Sequence, residues 1–505
     1  MGLTRHIRNV PFDGGEGAIE EVIRLSANIN AVSPVVDPVA QAIADGATPF
    51  VFLFDLQSDA SNLVYESSDT EKALENLGDQ MRDPGLPTAT GAGTSNSDIP
   101  AAYTYFGQFV DHDITSELVV AGVPLNIRTP RLDLDSVYGP GSVKVEDSRL
   151  MKVGPVVRSV FVPVPDKDNE KDLPRAGPEG SLDCIAEICE PRNDENLIIA
   201  QLHVAFLRAH NNAVKKLGFD FDAARKLITQ HYQCIVLDDF LKKIADPDIV
   251  DRTKEKNQFF LPKHLLCMPM EFSMAAFRFG HSMVRSGYQF NTINGINRFA
   301  TLNQLFTFTG PGGLGGRNGL PEDWVIDWKN FVNPGQANNT ARPIDTTLVK
   351  ELFDLPTQGL SDPKGQVKLS VRNLLRGYKR KLPTGQAVAR ELLKKIKFTP
   401  LTDKDIESVS KQVSKELLEA VKVSKFTTQT PLWFYVLAEA AHDGKGRLGT
   451  VGSTLVAEIL IGILRQSEHS ILGPAYTKDP WIPHPDLSTD GKCNLSDLLR
   501  FAGVL

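Results

Sequence analysis

The stretch ENLIIAQLHVAFLRAHNNAVKKL, residues 195–217, decides how the chain is read. Leu202, Phe206, Ala209, Ala213 and Leu217 fall at steps of four, three, four and four. A chain wound at about 3.6 residues per turn lines them up along one face. The same period recurs near 221–244, 271–285, 387–396, 404–423, 431–441 and 453–466. Alternation is scarce: only VVRSVFVPV at 156–164 looks extended, and its prolines suit an edge or a loop. The pattern predicts a mainly α fold with little β structure. Long loops rich in Gly, Pro and polar residues run at 84–99, 163–180, 309–321 and 331–345, with no fixed-period repeat. Long ordered loops around a helical body commonly shape a buried site.

The 505 residues carry 55 Lys and Arg against 62 Asp and Glu, a formal net charge of −7, and 41% are hydrophobic. That composition excludes a disordered or fibrous chain. The basic residues are scattered, so no nucleic-acid or anionic-membrane footprint is expected, and attention turns to small-molecule chemistry. Five cysteines are too few for a disulfide scaffold, and the core is expected to hold without staples. Cys184 and Cys189 stand close enough in sequence for a pair, which the sequence leaves open. There is no CxxC or zinc spacing. The opening MGLTRHIRNVPFDGGEG is followed by no apolar run, so no secretory signal is expected, and His6 breaks the myristoylation pattern. STLVAEILIGIL at 453–464 is short and interrupted by Glu458, so no membrane span is expected.

Two motifs fail. DKDNEKD at 166–172 begins like a calcium loop, but Lys171 stands where Gly is needed and Gly177 where a chelating Glu should be, so it reads as solvated loop. The glycines at 312–319 lack both GxGxxG order and a preceding strand.

Two others carry chemistry. In YFGQFVDHDIT (105–115), a helix puts Gln108 and His112 four apart on one face, with Asp111 three from Gln108 and Asp113 about 100° round from His112. That turn offers a base and a metal-type carboxylate. Taken alone it equally describes a buried histidine held by acids. In RTPRLDLDSVYG (128–139), Thr129, Arg131, Asp133 and Asp135 alternate, so an extended chain would turn hydroxyl, carbonyl and carboxylate oxygens toward one hard cation. Alone this is a surface DxD; with Asp113 it becomes a five-ligand calcium cage.

These two segments, with PRNDEN…LH…RAHN (191–211), FRFGH (277–281) and LSDLLRFAG (495–503), resemble the animal-type haem peroxidase family, also called the peroxidase–cyclooxygenase superfamily. They occur in family order over roughly residues 100–505, and the chain looks most like the bacterial and other stand-alone peroxidases of that family. The resemblance implies a single large helical domain, with 100–505 as catalytic core and 1–99 wrapping it. It places the distal histidine at His112, its neighbouring glutamine at Gln108, the distal arginine at Arg192 and the proximal haem-iron ligand at His281. It implies haem b ester-linked through Asp111 and Glu195, and calcium held by Asp113, Thr129, the Arg131 carbonyl, Asp133 and Asp135. SVRNLLRG puts the residue orienting the proximal imidazole at Asn373, with Arg278 and Arg376 facing haem propionates.

The implied activity is reduction of hydrogen peroxide, through a ferryl–radical state, with oxidation of halides, pseudohalides or phenolic donors. His112 suits an acid–base shuttle and Arg192 a fixed cation beside the breaking O–O bond. Without the family pattern, Arg192 would pair with Asp194 or Glu195 and His281 would be a core histidine; His203 and His210, seven apart on one helix face, would suggest a metal, but within the family pattern their helix is structural. Asn196 stands where the mammalian chlorinating enzyme carries a methionine, so no sulfonium link is expected, and Glu190-Pro191 replaces the usual Gly-Asp. The rivals are a fatty-acid dioxygenase of the same superfamily and a non-catalytic haem and calcium adhesion module. Arg278 stands three before His281, where the dioxygenases carry tyrosine, and a passive binder would not need Gln108, His112 and Arg192 together. The sequence leaves the oligomeric state and the electron donor open, and compartments both outside and inside the cytoplasm.

Overall fold

The computed structural model describes residues 38–84, 96–145, 149–159, 169–176, 184–264, 266–310, 312–332, 339–355 and 368–505. Among these, about half are helical, in seventeen α-helical segments with a few small sheets and no barrel. The mainly α reading therefore holds.

The opening stretch forms the helix Leu197–Leu217, with its apolar stripe buried. Asn196 caps it, its Oδ1 accepting from Ile199 N at 3.0 Å, and Gly218 ends it at a φ of 74°, a left-handed conformation that favours glycine. The helix Ala102–Ile114 lies against it, with Phe109 and Phe206 stacked at 4.6 Å between centroids. Phe221–Cys234 follows and continues through a π turn, Ile235–Phe240, into Leu241–Ile244. The terminal helix Leu495–Ala502 packs back on Leu197–Leu217.

The suspected span is a core helix. Thr450–Gln466 is buried from Val451 to Leu464, and Glu458 caps a neighbouring loop by accepting from the backbone of Gln258, Phe259 and Phe260. Among the described residues no helix is long and apolar enough to cross a membrane.

The β structure lies elsewhere than expected. One sheet runs in the order Glu117–Val120, Val123–Asn126, Thr48–Val51, Met268–Pro269. A hairpin joins Gly287–Ile293 to Ile296–Thr301 through Asn294 and Gly295, both at positive φ, the pair that fits a tight hairpin turn. Residues 156–159 form no strand, only an isolated bridge from Val157 to Pro321, and 160–164 lie outside the described residues. The solvated-loop reading of 166–172 fails where it can be seen. Glu170–Asp172 is a short strand, and Asp172 is buried against Arg175 at 2.8 Å. Residues 166–168 lie outside the described residues.

A staple is present. Cys234 and Cys493, 259 residues apart, form a disulfide, whereas Cys184 and Cys189 are not joined to each other. No local spacing could announce that pair, because the fold alone brings the end of one helix to the approach of the last.

Candidate active site

One face of Ala102–Ile114 opens on a cavity of about 740 Å³, and Gln108, Asp111 and His112 line it. The opposite face is core. Asp111 Oδ1 accepts from the Thr115 hydroxyl at 3.0 Å, and Gln108 Oε1 accepts from Asn196 Nδ2 at 3.2 Å. Gln108 Nε2 is buried with no hydrogen-bond partner among the described residues. Asp113 turns away from the cavity, as helical geometry requires, and accepts from Ser136 N at 2.9 Å.

Arg192 reaches the cavity from a tight 3-10 turn, Pro191–Asp194. Its hydrogen-bonded acid is Glu190, with the Asp111 and Glu195 charges acting on it more weakly. Glu190, 2% exposed, accepts from Arg192 N at 3.0 Å, Nε at 2.8 Å and Nη2 at 2.9 Å, and also from Arg128 Nε at 2.9 Å. Burial alone would raise the Glu190 carboxyl. The Arg192 and Arg128 guanidiniums outweigh it and hold that carboxyl well below the usual range. Arg192 Nη2 also donates to Thr115 O at 2.6 Å, tying the arginine to the end of the His112 helix. Asp194 instead pairs with Arg175 at 2.7 Å. Asn196, rather than Glu195, lines the cavity.

His112 Nδ1 lies 2.9 Å from Asn193 Oδ1, and Asn193 Nδ2 lies 3.0 Å from His203 Nδ1. Burial, then the nearby Arg192 charge, pushes the His112 pKa down to about 3, so the ring is neutral at ordinary pH and able to accept a proton.

A second wall comes from the 3-10 segment Ala276–Met283, which brings Arg278 and His281 to the same cavity. Asn373, on the helix Leu369–Lys379, places Nδ2 2.9 Å from His281 Nδ1, and its Oδ1 is buried with no hydrogen-bond partner among the described residues. Arg278 Nε donates to Ser273 O at 3.0 Å. Arg376 lines the cavity and pairs with Glu117 at 3.0 Å. Apolar side chains, among them Met274, Phe277, Phe279 and Phe306, complete the lining together with Cys189, its Sγ donating to Ser136 O at 2.8 Å.

Of the calcium candidates, Asp135 stands near enough to Asp113 and to Asp133 to raise both carboxyls, but the segment is not presented as the alternation suggests. The 128–135 stretch is not extended: Arg131 N donates to Thr129 O at 2.7 Å in a tight turn, Leu134 has a φ of 56°, and Asp135 opens a short helix. Burial, then Asp135, raises Asp113 to about 7 and Asp133 to about 6. Among the described residues no three of His, Cys, Asp and Glu converge closely enough to hold a metal ion.

The chain belongs to the animal haem peroxidase family: residues 121–458, more than half its length, match that family. The segment bearing Gln108, Asp111, His112 and Asp113 precedes the matched residues. Peroxidase A from Dictyostelium discoideum has a similar structure, with a TM-score of 0.56 at 15% identity over 91% of this chain and 94% of that one. A fatty acid alpha-dioxygenase from Oryza sativa gives 0.54 at 10% identity over 87% and 78%. At such identities the likeness concerns the fold. No curated protein matches the sequence.

The family binds haem, and the residues present fit one. The cavity carries a histidine from each of two walls and mainly apolar lining. A Cβ built on Gly280, beside His281, would meet nothing within 4 Å, so space adjoins the candidate ligand. The buried Asn373 Oδ1 can turn to accept from His281 Nδ1–H, which leaves Nε2 for a metal. The sequence missed Glu190, Asn193, Arg128 and Glu117. Glu190 is the acid two before Arg192, a signal masked by the nearer-looking Asp194 and Glu195.

Proposed function

We propose that the protein is a haem peroxidase that reduces hydrogen peroxide and oxidises small anionic or phenolic donors. The observation that carries this reading is the buried His112 and the Glu190-clamped Arg192 in the same cavity as His281, whose Nδ1 meets Asn373. Haem b held by His281 would supply the redox chemistry, accepting oxidation from peroxide and passing it to donors.

The chain's own residues move and steady charge. His112 takes the proton from one peroxide oxygen at Nε2 and returns it to the other, which leaves as water. Arg192 keeps a positive charge beside the polarising O–O bond; burial opposes that charge, but Glu190 more than restores it. Gln108 Nε2 is the donor left for a small anion in the cavity. Asn373 orients His281, and Arg278 and Arg376 are placed for propionates, Arg376 by exchanging Glu117 for the haem carboxylate. Ester links through Asp111 and Glu195 belong to this reading; Asp111 lines the cavity, and Glu195 would need to turn toward it.

Calcium at Asp113, Thr129, Arg131, Asp133 and Asp135 is part of the same proposal. A divalent cation would offset the burial, and the repulsion from Asp135, that raise the Asp113 and Asp133 pKa values, once the turn around Arg131 tightens on it. A catalytic core at 100–505 wrapped by 1–99 belongs to the same proposal; residues 1–37 and 85–95 lie outside the described residues, and of the rest of that segment Thr70–Gln80 packs on the Asn373 helix. The test is an absorption spectrum of the purified chain with haemin, before and after peroxide, then a screen of bromide, iodide, thiocyanate, a phenol and a fatty acid. A Soret band that peroxide shifts and a donor restores is expected. No Soret band with haemin refutes the reading, and oxygenation of the fatty acid without peroxide-driven donor oxidation replaces it with the dioxygenase one.

A further inference from the structure

We propose that Asn193 is a positioning residue that sets the tautomer of His112: its amide couples His112 to His203 so that His112 holds its proton on Nδ1 and its lone pair on Nε2. This rests on the reading of His112 as the proton shuttle. An amide is asymmetric, its oxygen only accepting and its nitrogen only donating. With Oδ1 on His112 at 2.9 Å and Nδ2 on His203 at 3.0 Å, the two imidazoles must take opposite tautomers. His112 donates from Nδ1, and His203 accepts there and carries its proton on Nε2.

The arrangement is built to stay put. Asn193 is 0% exposed, His203 1% and His112 2%, so the three groups are held away from bulk solvent. The Asn193 backbone is fixed in the Pro191–Asp194 turn, which Glu190 caps on one side and the Arg175–Asp194 pair holds on the other. His203 sits midway along Leu197–Leu217, edge-on to Phe109. A charged His203 would carry protons on both nitrogens and force the amide to turn, putting the His112 proton on the wrong atom. Burial pushes the His203 pKa down to about 3 and prevents that. A base that must accept a proton at Nε2 therefore has its tautomer set by a second histidine outside the cavity lining.

The test uses the full chain loaded with zinc protoporphyrin, a diamagnetic stand-in for haem, and ring-¹⁵N histidine, with His112 and His203 assigned from His112→Gln and His203→Gln. In the wild type, His112 is expected protonated at Nδ1 and His203 at Nε2. Asn193→Asp replaces the amide by a group that accepts at both ends, so His112 should keep Nδ1–H while His203 switches to Nδ1–H. Asn193→Leu should leave His112 a mixture of tautomers and slow the peroxide reaction of the haem-loaded chain by about 10- to 100-fold, with Asn193→Asp recovering most of the rate. A wild-type His112 protonated at Nε2, or a His203 unmoved by Asn193→Asp, overturns the assignment. A wild type inert to peroxide refutes the peroxidase reading, and the NMR pattern then still upholds or overturns the tautomer coupling by itself.

Discussion

Replacing Glu190 by glutamine tests the electrostatics of the site most sharply. The carboxylate accepts four hydrogen bonds, three from Arg192 and one from Arg128, and is 2% exposed. Glutamine keeps one accepting oxygen and turns the other position into a donor that faces a guanidinium. Two charge-assisted bonds of about 1.5–3 kcal/mol each are lost, and two cations lose their counter-charge. Breaking a buried pair in this way costs about 3–5 kcal/mol, so Glu190→Gln should lower stability by that order at neutral pH.

The pH dependence has a definite sign. The folded carboxyl titrates below its unfolded value of about 4.3, so its contribution is complete above that pH and fades as acid protonates it. The gap between wild type and Glu190→Gln in urea midpoint should be flat from about pH 5 upward and should narrow as pH falls below about 4.3. Arg192, loosened from its clamp, should also lose about 10²-fold in the peroxide step, as oxyanion-type donors do when removed. A variant within about 0.5 kcal/mol of wild type at pH 7, where ordinary surface substitutions fall, would show that the clamp contributes neither stability nor position.

His112→Ala should abolish the peroxide-driven spectral change while leaving haem bound; near-normal turnover would remove its role as shuttle. Asp111→Ala and Glu195→Ala should each make haem easier to extract into acidified organic solvent, and complete extraction from the wild type would rule out both esters. Chelating calcium should lower the melting temperature and the peroxidase activity, whereas an unchanged melting temperature after full metal removal would refute the cage.

Much of the fold is legible because its helices are long and strongly periodic. Leu197–Leu217 and Thr450–Gln466 each bury a stripe or a whole surface that the spacing of apolar residues announces. The strands are short and take their partners from distant chain segments: Thr48–Val51 pairs with Met268–Pro269, a register no local pattern encodes. The same distinction divides the site. His112, Gln108 and Asp111 share a helix, so their common face follows from spacing alone. Arg192 pairs with Glu190 because a 3-10 turn folds the chain back on itself, and Asn193 meets His203 because that turn abuts the helix it precedes. The disulfide between Cys234 and Cys493 belongs with these long-range facts. The alternating Thr129–Asp135 set shows the opposite error, since a left-handed Leu134 and a tight turn replace the extended chain that the alternation suggests.

The thiol of Cys189 stands in the wall of the space where an oxidant would arrive. Only the ionised sulfur attacks peroxide readily, and burial pushes this group up to about 12, so it stays protonated and slow at any physiological acidity. Its hydrogen is further occupied by the carbonyls of Asp135 and Ser136. On the peroxidase reading, a cysteine so placed would resist conversion to a sulfenic acid because it is withdrawn from water, not because sulfur is missing from the wall.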